Sequence, residues 1–142
     1  MLVRALGVWG VLLMLAIANG AVRELALINS AGETLAHGVS SITLSAAILV
    51  LTWLTIRWIG PQSPSDAWRI GALWVALTVA FEFIAGHYVF GNSWSRLLSD
   101  YNVLQGRIWV VVLITTLIAP VLTARSHGLT LPQSAALVAP RK

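Results

Sequence analysis

The sequence predicts an all-α fold, an integral membrane four-helix bundle with short loops and a disordered C-terminal tail, on three observations. First, 58% of the 142 residues are hydrophobic and only 10% are charged, with a mean hydropathy of +0.83. A soluble domain of this size needs more charge than that to cover its surface. Second, three stretches, residues 5–22, 38–56 and 108–124, contain no charged residue, and a fourth, near residues 70–90, is interrupted by Glu82 alone. A helix needs about 20 apolar residues to cross a hydrocarbon core. Third, the remaining charges gather where such spans would end, as they must if lipid is the solvent between them. Four spans leave no room for a separate soluble domain, so residues 1–125 are read as one domain, spanning at about 3–22, 36–57, 68–90 and 103–124, and 126–142 as a cytoplasmic tail.

The first span runs from Val3. Met1 to Arg4, the apolar run and Ala18, Asn19, Gly20 and Ala21 also have the composition of a cleaved signal peptide. The run is long for a signal core, and only three spans would then remain, placing the chain ends on opposite sides; retention is the preferred reading. Asn19 and Gly20 are expected to loosen its far end, with Arg23 and Glu24 capping or pairing beyond it. The second helix is expected to start near Ala31, because Ser30 followed by Glu33 is the pattern of a capping box. Ser63, Pro64 and Asp66 mark the third start in the same way, with proline where its missing N–H costs nothing. The fourth is expected to begin between Ser93 and Asp100 and to end or kink at Pro120.

The positive-inside rule orients the spans. One side would hold Arg4, Arg57, Arg69, Arg125, Arg141 and Lys142 with Asp66; the other Arg23, Arg96 and Arg107 with Glu24, Glu33, Asp100 and the deeper Glu82. Both termini are therefore expected in the cytoplasm. Trp58 and Trp68 suit the inner interface, and Tyr88, Trp94, Tyr101 and Trp109 the outer one. The net charge of +4 and pI near 10.8 come from residues scattered at helix ends, not from a basic patch. They argue topology rather than nucleic-acid binding.

Nearly all residues capable of chemistry fall on the outer side. Glu33, His37, Ser41 and Ser45 recur every fourth position and form one polar stripe on the second helix. Asp100, Tyr101, Asn102 and Arg107 flank the start of the fourth. A third-to-fourth hairpin turning near Trp94 and Ser95 places Glu82 level with Arg107, and a second-to-third hairpin turning near Gln62 places His37 level with His87. Glu82 inside a membrane costs roughly 2.5–3.5 kcal/mol on insertion scales, so it calls for a partner such as Arg107 or for a functional role. Glu33, His37, Glu82, His87, Asp100, Tyr101, Asn102 and Arg107 are thus the candidates for ligand or partner binding. His37 and His87 could hold haem or a metal ion, alone or with Glu33 and Glu82, although an interfacial imidazole is also comfortable without a ligand. The spacings match no di-iron or zinc-protease helix. Ser41 and Ser45, near Gly38 and Ala46, suit close helix contact better than chemistry. Cysteine is absent, which removes thiolate chemistry, and no nucleophile elbow or phosphate loop occurs.

Residues 81–109, FEFIAGHYVFGNSWSRLLSDYNVLQGRIW, together with Arg23, Glu24 and the Glu33 to His37 region, resemble a family of small four-helix bacterial inner-membrane proteins to which no activity is attached. The resemblance implies an inner-membrane location and no catalytic assignment. A non-enzymatic membrane protein binding a small polar ligand, an ion or a partner through its outward cluster is the leading expectation. A haem-, metal- or quinone-binding redox protein using His37 and His87, and a small transporter with Glu82 as titrating group, are the alternatives. Expected partners are the lipid bilayer and another membrane protein or a second copy of the chain.

Overall fold

The computed structural model describes residues 1–99, 101 and 109–129. Its long elements are α1 (Leu2–Val22), α3 (Glu33–Ile59), α4 (Pro64–Tyr88) and α6 (Trp109–Ser126). Between them lie a π-helical turn (Arg23–Leu27), α2 (Ile28–Ala31) and the short α5 (Trp94–Ser99). Because α1, the π turn and α2 are continuous, Leu2–Ala31 is a single 30-residue helix. Four helices are therefore long and apolar enough to cross a membrane. Large apolar side chains such as Val3, Met14, Ile42, Leu54, Ile84 and Ile114 point away from the bundle, an arrangement stable only if their solvent is lipid.

Local chemistry explains most helix ends. Ser63 accepts the Asp66 N–H at 3.1 Å and Pro64 occupies the first turn of α4, as the sequence pattern requires. α3 ends at Gly60, whose φ of 73° is left-handed, with Pro61 following. α6 ends in a Schellman arrangement: the Gly128 N–H donates to the Arg125 carbonyl and the Leu129 N–H to the Ala124 carbonyl, with Gly128 at φ 67°.

Three expectations are corrected. The capping box at Ser30 does not form: its hydroxyl donates back to the Ala26 carbonyl at 2.9 Å while the helix continues to Ala31. The break falls at Gly32, whose φ of 81° and ψ of 162° lie in a region almost reserved for glycine, so α3 starts at Glu33 rather than Ala31. Of the two outcomes expected at Pro120, an end or a kink, the end is not found: the residue is buried inside α6, which continues to Ser126. Transmembrane helices tolerate such a proline where neighbouring groups compensate for its missing N–H. Asn19 does not loosen α1 but ties it to α3, donating to the Ser40 carbonyl at 3.1 Å and the Ser40 hydroxyl at 2.6 Å. The residues expected to begin the fourth span at 103, and the tail beyond 129, lie outside the described residues.

The spans stand in the cyclic order α1, α3, α6, α4, each packing on its two neighbours. α3 and α4, though consecutive long helices, occupy opposite corners with at most marginal contact. α1 and α4 run parallel: the Trp74 indole N–H donates to the Ala5 carbonyl at 2.9 Å and the Trp9 indole N–H to Thr78 at 3.1 Å, both pairs 69 positions apart. α4 and α6 are antiparallel and very close where a Cβ on Gly71 would lie 2.1 Å from the Leu117 carbonyl oxygen. The core runs through Ala5, Leu44, Ile56, Ile70, Trp74, Val112 and Ala119.

One end of this bundle carries Arg4, Arg57, Arg69 and Arg125. There Arg4 donates to the Trp58 carbonyl at 2.8 Å with its guanidinium over the Trp58 ring, and the His127 ring meets the Trp53 carbonyl at 3.1 Å. The start of α1 and the ends of α3 and α6 therefore share this basic end. Glu24, Glu33, Arg23 and Arg96 lie at the opposite end.

Candidate functional site

Glu82 sits on α4 one turn beyond Thr78 and one turn before Gly86, so these three share the face that looks towards α1. The same carboxylate oxygen, Oε2, accepts the Tyr101 hydroxyl at 2.5 Å and the Trp109 indole N–H at 3.0 Å. A carboxylate accepting short bonds from two donors is held in place. Trp109 comes from the first turn of α6, so Glu82 is also a clasp between α4 and α6. On α6 it is Trp109 that stands level with Glu82. Arg107, Asp100 and Asn102 themselves lie outside the described residues.

Beside Glu82 is a cavity of about 260 Å³. α1 supplies Leu13, Ala16 and Ile17; α4 supplies Thr78, Phe81, Glu82 and Gly86; Phe90, Asn92, Leu97 and Trp109 close it from α5, its approach and α6. Arg23, from the π turn, completes the lining. α3 contributes nothing to it. Arg23 also pairs with Glu24 at 3.2 Å, as the sequence reading allowed. A π turn carries one extra residue per turn and shifts the side chains that follow, and such turns recur at functional sites.

An aromatic group gathers near the end of α4. His87 stacks on Trp94 with centroids 4.0 Å apart and meets Tyr88 edge-on at 4.9 Å; Phe83 stacks on Tyr101 at 5.8 Å. His87 Nδ1 lies 2.9 Å from the Asn92 carbonyl. A carbonyl only accepts, so Nδ1 carries the proton and, in the neutral ring, Nε2 keeps its lone pair. Tyr88 and Trp94 are exposed, as are Trp58 and Trp68 at the basic end.

Glu33 is exposed in the first turn of α3, where a carboxylate favours the helix dipole, and His37 is half-buried one turn on. Since α3 and α4 occupy opposite corners, equal depth does not by itself bring His37 to His87. Among the described residues no group of three or more His, Asp or Glu residues is arranged to hold a metal ion. Ser41 is buried, and the Ser45 hydroxyl is buried with no hydrogen-bond partner among the described residues. The interhelical bond is made instead by Ser40. Thr78, Asn92 and Ser40 were missed by the sequence reading. For Thr78 and Ser40 the signal was that a polar residue inside an apolar span needs a partner; Asn92, in the connection after α4, carried none. No protein-family model, curated protein or solved structure matches the chain. Fold and site together define a multi-spanning helical membrane protein whose bundle holds, in one half, a mostly apolar cavity lined by Glu82 and Arg23.

Proposed function

We propose that this protein binds a small polar ligand in the cleft between α1 and α4, in a bacterial inner membrane, with both chain ends in the cytoplasm and the cleft in the outward half. The observation that carries the reading is Glu82. An ionisable residue within a span is rare unless it has work to do, and this one lines a cavity that the helices could have closed by continuing their parallel contact. The concentration of arginine at the basic end supports the orientation.

The binding reading is tested by extracting the full chain from its native membrane into lipid-preserving polymer discs and identifying co-purifying small molecules by mass spectrometry. Ile17→Trp enlarges a side chain at the cleft's rim that takes no part in the Glu82 clasp. A molecule retained by the native chain and lost from that variant is expected; identical inventories from the two folded proteins would overturn the reading. For orientation, a reporter fused at the C-terminus is expected to be active only in the cytoplasm. Activity on the far side of the membrane would reverse the assignment.

A further inference from the structure

We infer that the corner where the start of α1 meets the end of α3 holds the headgroup of an anionic, phosphatidylglycerol-type phospholipid, its phosphate taken by Arg4 and Arg57 and its chains lying along the outer face of α3; this site is separate from the cleft. The chain has five acidic residues, and Asp66 is the one described at the basic end. Both of its oxygens are engaged: Oδ2 accepts the Gln62 N–H at 3.1 Å and Oδ1 lies 3.8 Å from Arg69. Glu24, Glu33 and Glu82 belong to the other half of the bundle, as do Ser99 and Tyr101, the chain neighbours of Asp100. Residues 130–142 contain no Asp or Glu and add Arg141 and Lys142. Among the described residues Arg57 makes no hydrogen bond or ion pair. Arg4 donates one N–H to the Trp58 carbonyl of the five its guanidinium carries. Neither arginine has a carboxylate among the described residues, and the anions nearest to hand in a membrane are lipid phosphates.

The two cations share a surface that faces lipid. On α3 the buried column Ile48, Thr52, Ile56 and Ile59 is turned to the bundle. Val50, Trp53, Leu54, Arg57 and Trp58 lie on the opposite arc, and all are exposed. Arg57 stands on that arc between two indoles. The Arg4 guanidinium lies 5.6 Å from the centre of the Trp58 ring, which ties it to the residue next to Arg57, and the Trp53 ring is braced by His127 with centroids 5.0 Å apart. Exposed indoles settle at headgroup depth, and Val50 and Leu54 continue the same face towards the middle of the span, where acyl chains run. A soluble anion would use the guanidiniums alone, whereas a phospholipid covers both the guanidiniums and the apolar face. A zwitterionic headgroup sets its own ammonium against two guanidiniums. A phosphodiester capped by glycerol brings a net negative charge and hydroxyls only, and guanidinium matches phosphate through paired N–H donors.

The test titrates the full chain in detergent micelles with phosphatidylglycerol and with phosphatidylcholine of the same chains, reading the first bound lipid by native mass spectrometry. A preference for phosphatidylglycerol of about twentyfold or more is expected, roughly fivefold from each arginine near the headgroup. Arg57→Gln and Arg4→Gln should each lose about fivefold, and together they should bring the two lipids level. Arg125→Gln removes the same charge from the end of α6, which stands opposite α1, and should change the preference by less than about twofold because the field of an exposed charge is screened with distance. Arg57 has no described partner to lose, so its variant decides the matter even if Arg4→Gln, which breaks the bond to Trp58, does not fold. Equal affinity for the two lipids, an equal loss from Arg125→Gln, or displacement by water-soluble glycerophosphoglycerol or an acidic peptide as readily as by the lipid would each overturn the inference. Ile17→Trp should leave the preference unchanged; a loss there would put the lipid in the cleft instead and overturn the corner site while leaving the cleft a ligand site.

Discussion

Gly71 and Glu82, on the same helix, do opposite jobs, one letting two backbones touch and the other filling a polar clasp. Gly71→Ala would force a methyl into the Leu117 carbonyl, and α4 and α6 must separate to admit it. A loss of about 1–3 kcal/mol is expected, read from unfolding in mixed micelles. Gly10→Ala, with nothing within 4 Å of its added carbon, should be neutral or stabilise by up to about 1 kcal/mol in the same assay. At Glu82, Trp109→Phe and Tyr101→Phe each delete one donor to Oε2. Hydrogen bonds inside membranes average about 0.6 kcal/mol by double-mutant cycles and reach about 1.7 kcal/mol. A cycle pairing each with Glu82→Gln should therefore return coupling of that order, and zero coupling would mean that the clasp does not hold α4 to α6. Ser45→Ala removes a buried hydroxyl that has no partner among the described residues and is expected to cost nothing or to stabilise slightly.

Among the helices, the two serine caps read from sequence separate cleanly. Ser63→Ala should lose about 1 kcal/mol, because its side chain accepts the Asp66 N–H. Ser30→Ala should stay within about 0.5 kcal/mol of the native protein, because its hydroxyl only repeats a bond to its own helix. The position that breaks the chain between α2 and α3 is Gly32, and Gly32→Ala should cost about 1–3 kcal/mol through backbone strain. Thermal unfolding of the three variants ranks these directly. The Ser30 pattern misled because a capping motif states only that a helix can start there. It does not state that the preceding helix has ended, and the π turn at Arg23–Leu27 carried that helix through.

The bundle as a whole can be tested by disulfide cross-linking, which the absence of native cysteine makes clean. Trp9→Cys with Thr78→Cys should cross-link across the parallel α1–α4 contact. His37→Cys with His87→Cys, on helices at opposite corners, should not; a cross-link there would restore the two-histidine site that equal depth alone invites. Of the candidate site, Glu82 was legible because one carboxylate in an apolar span stands out at once, and Tyr101 because it follows closely in an interfacial segment. Arg23 was legible only as a helix-end charge, and its place in the cavity lining was not.

Span number, the polar interruption at Glu82, the Ser63 cap and the asymmetry of charge between the two ends all follow from composition and near-neighbour chemistry. Which helices become neighbours does not follow. Lipid is as apolar as leucine, so a face turned to the bundle and a face turned to the bilayer carry the same residues, and periodicity cannot distinguish them. Only small residues meeting backbone, as at Gly71, and polar groups finding partners, as Trp74, Trp9 and Asn19 do, decide the order α1, α3, α6, α4. That order, by running α1 beside α4 and then letting them part above Thr78, makes the cleft in which Glu82 lies.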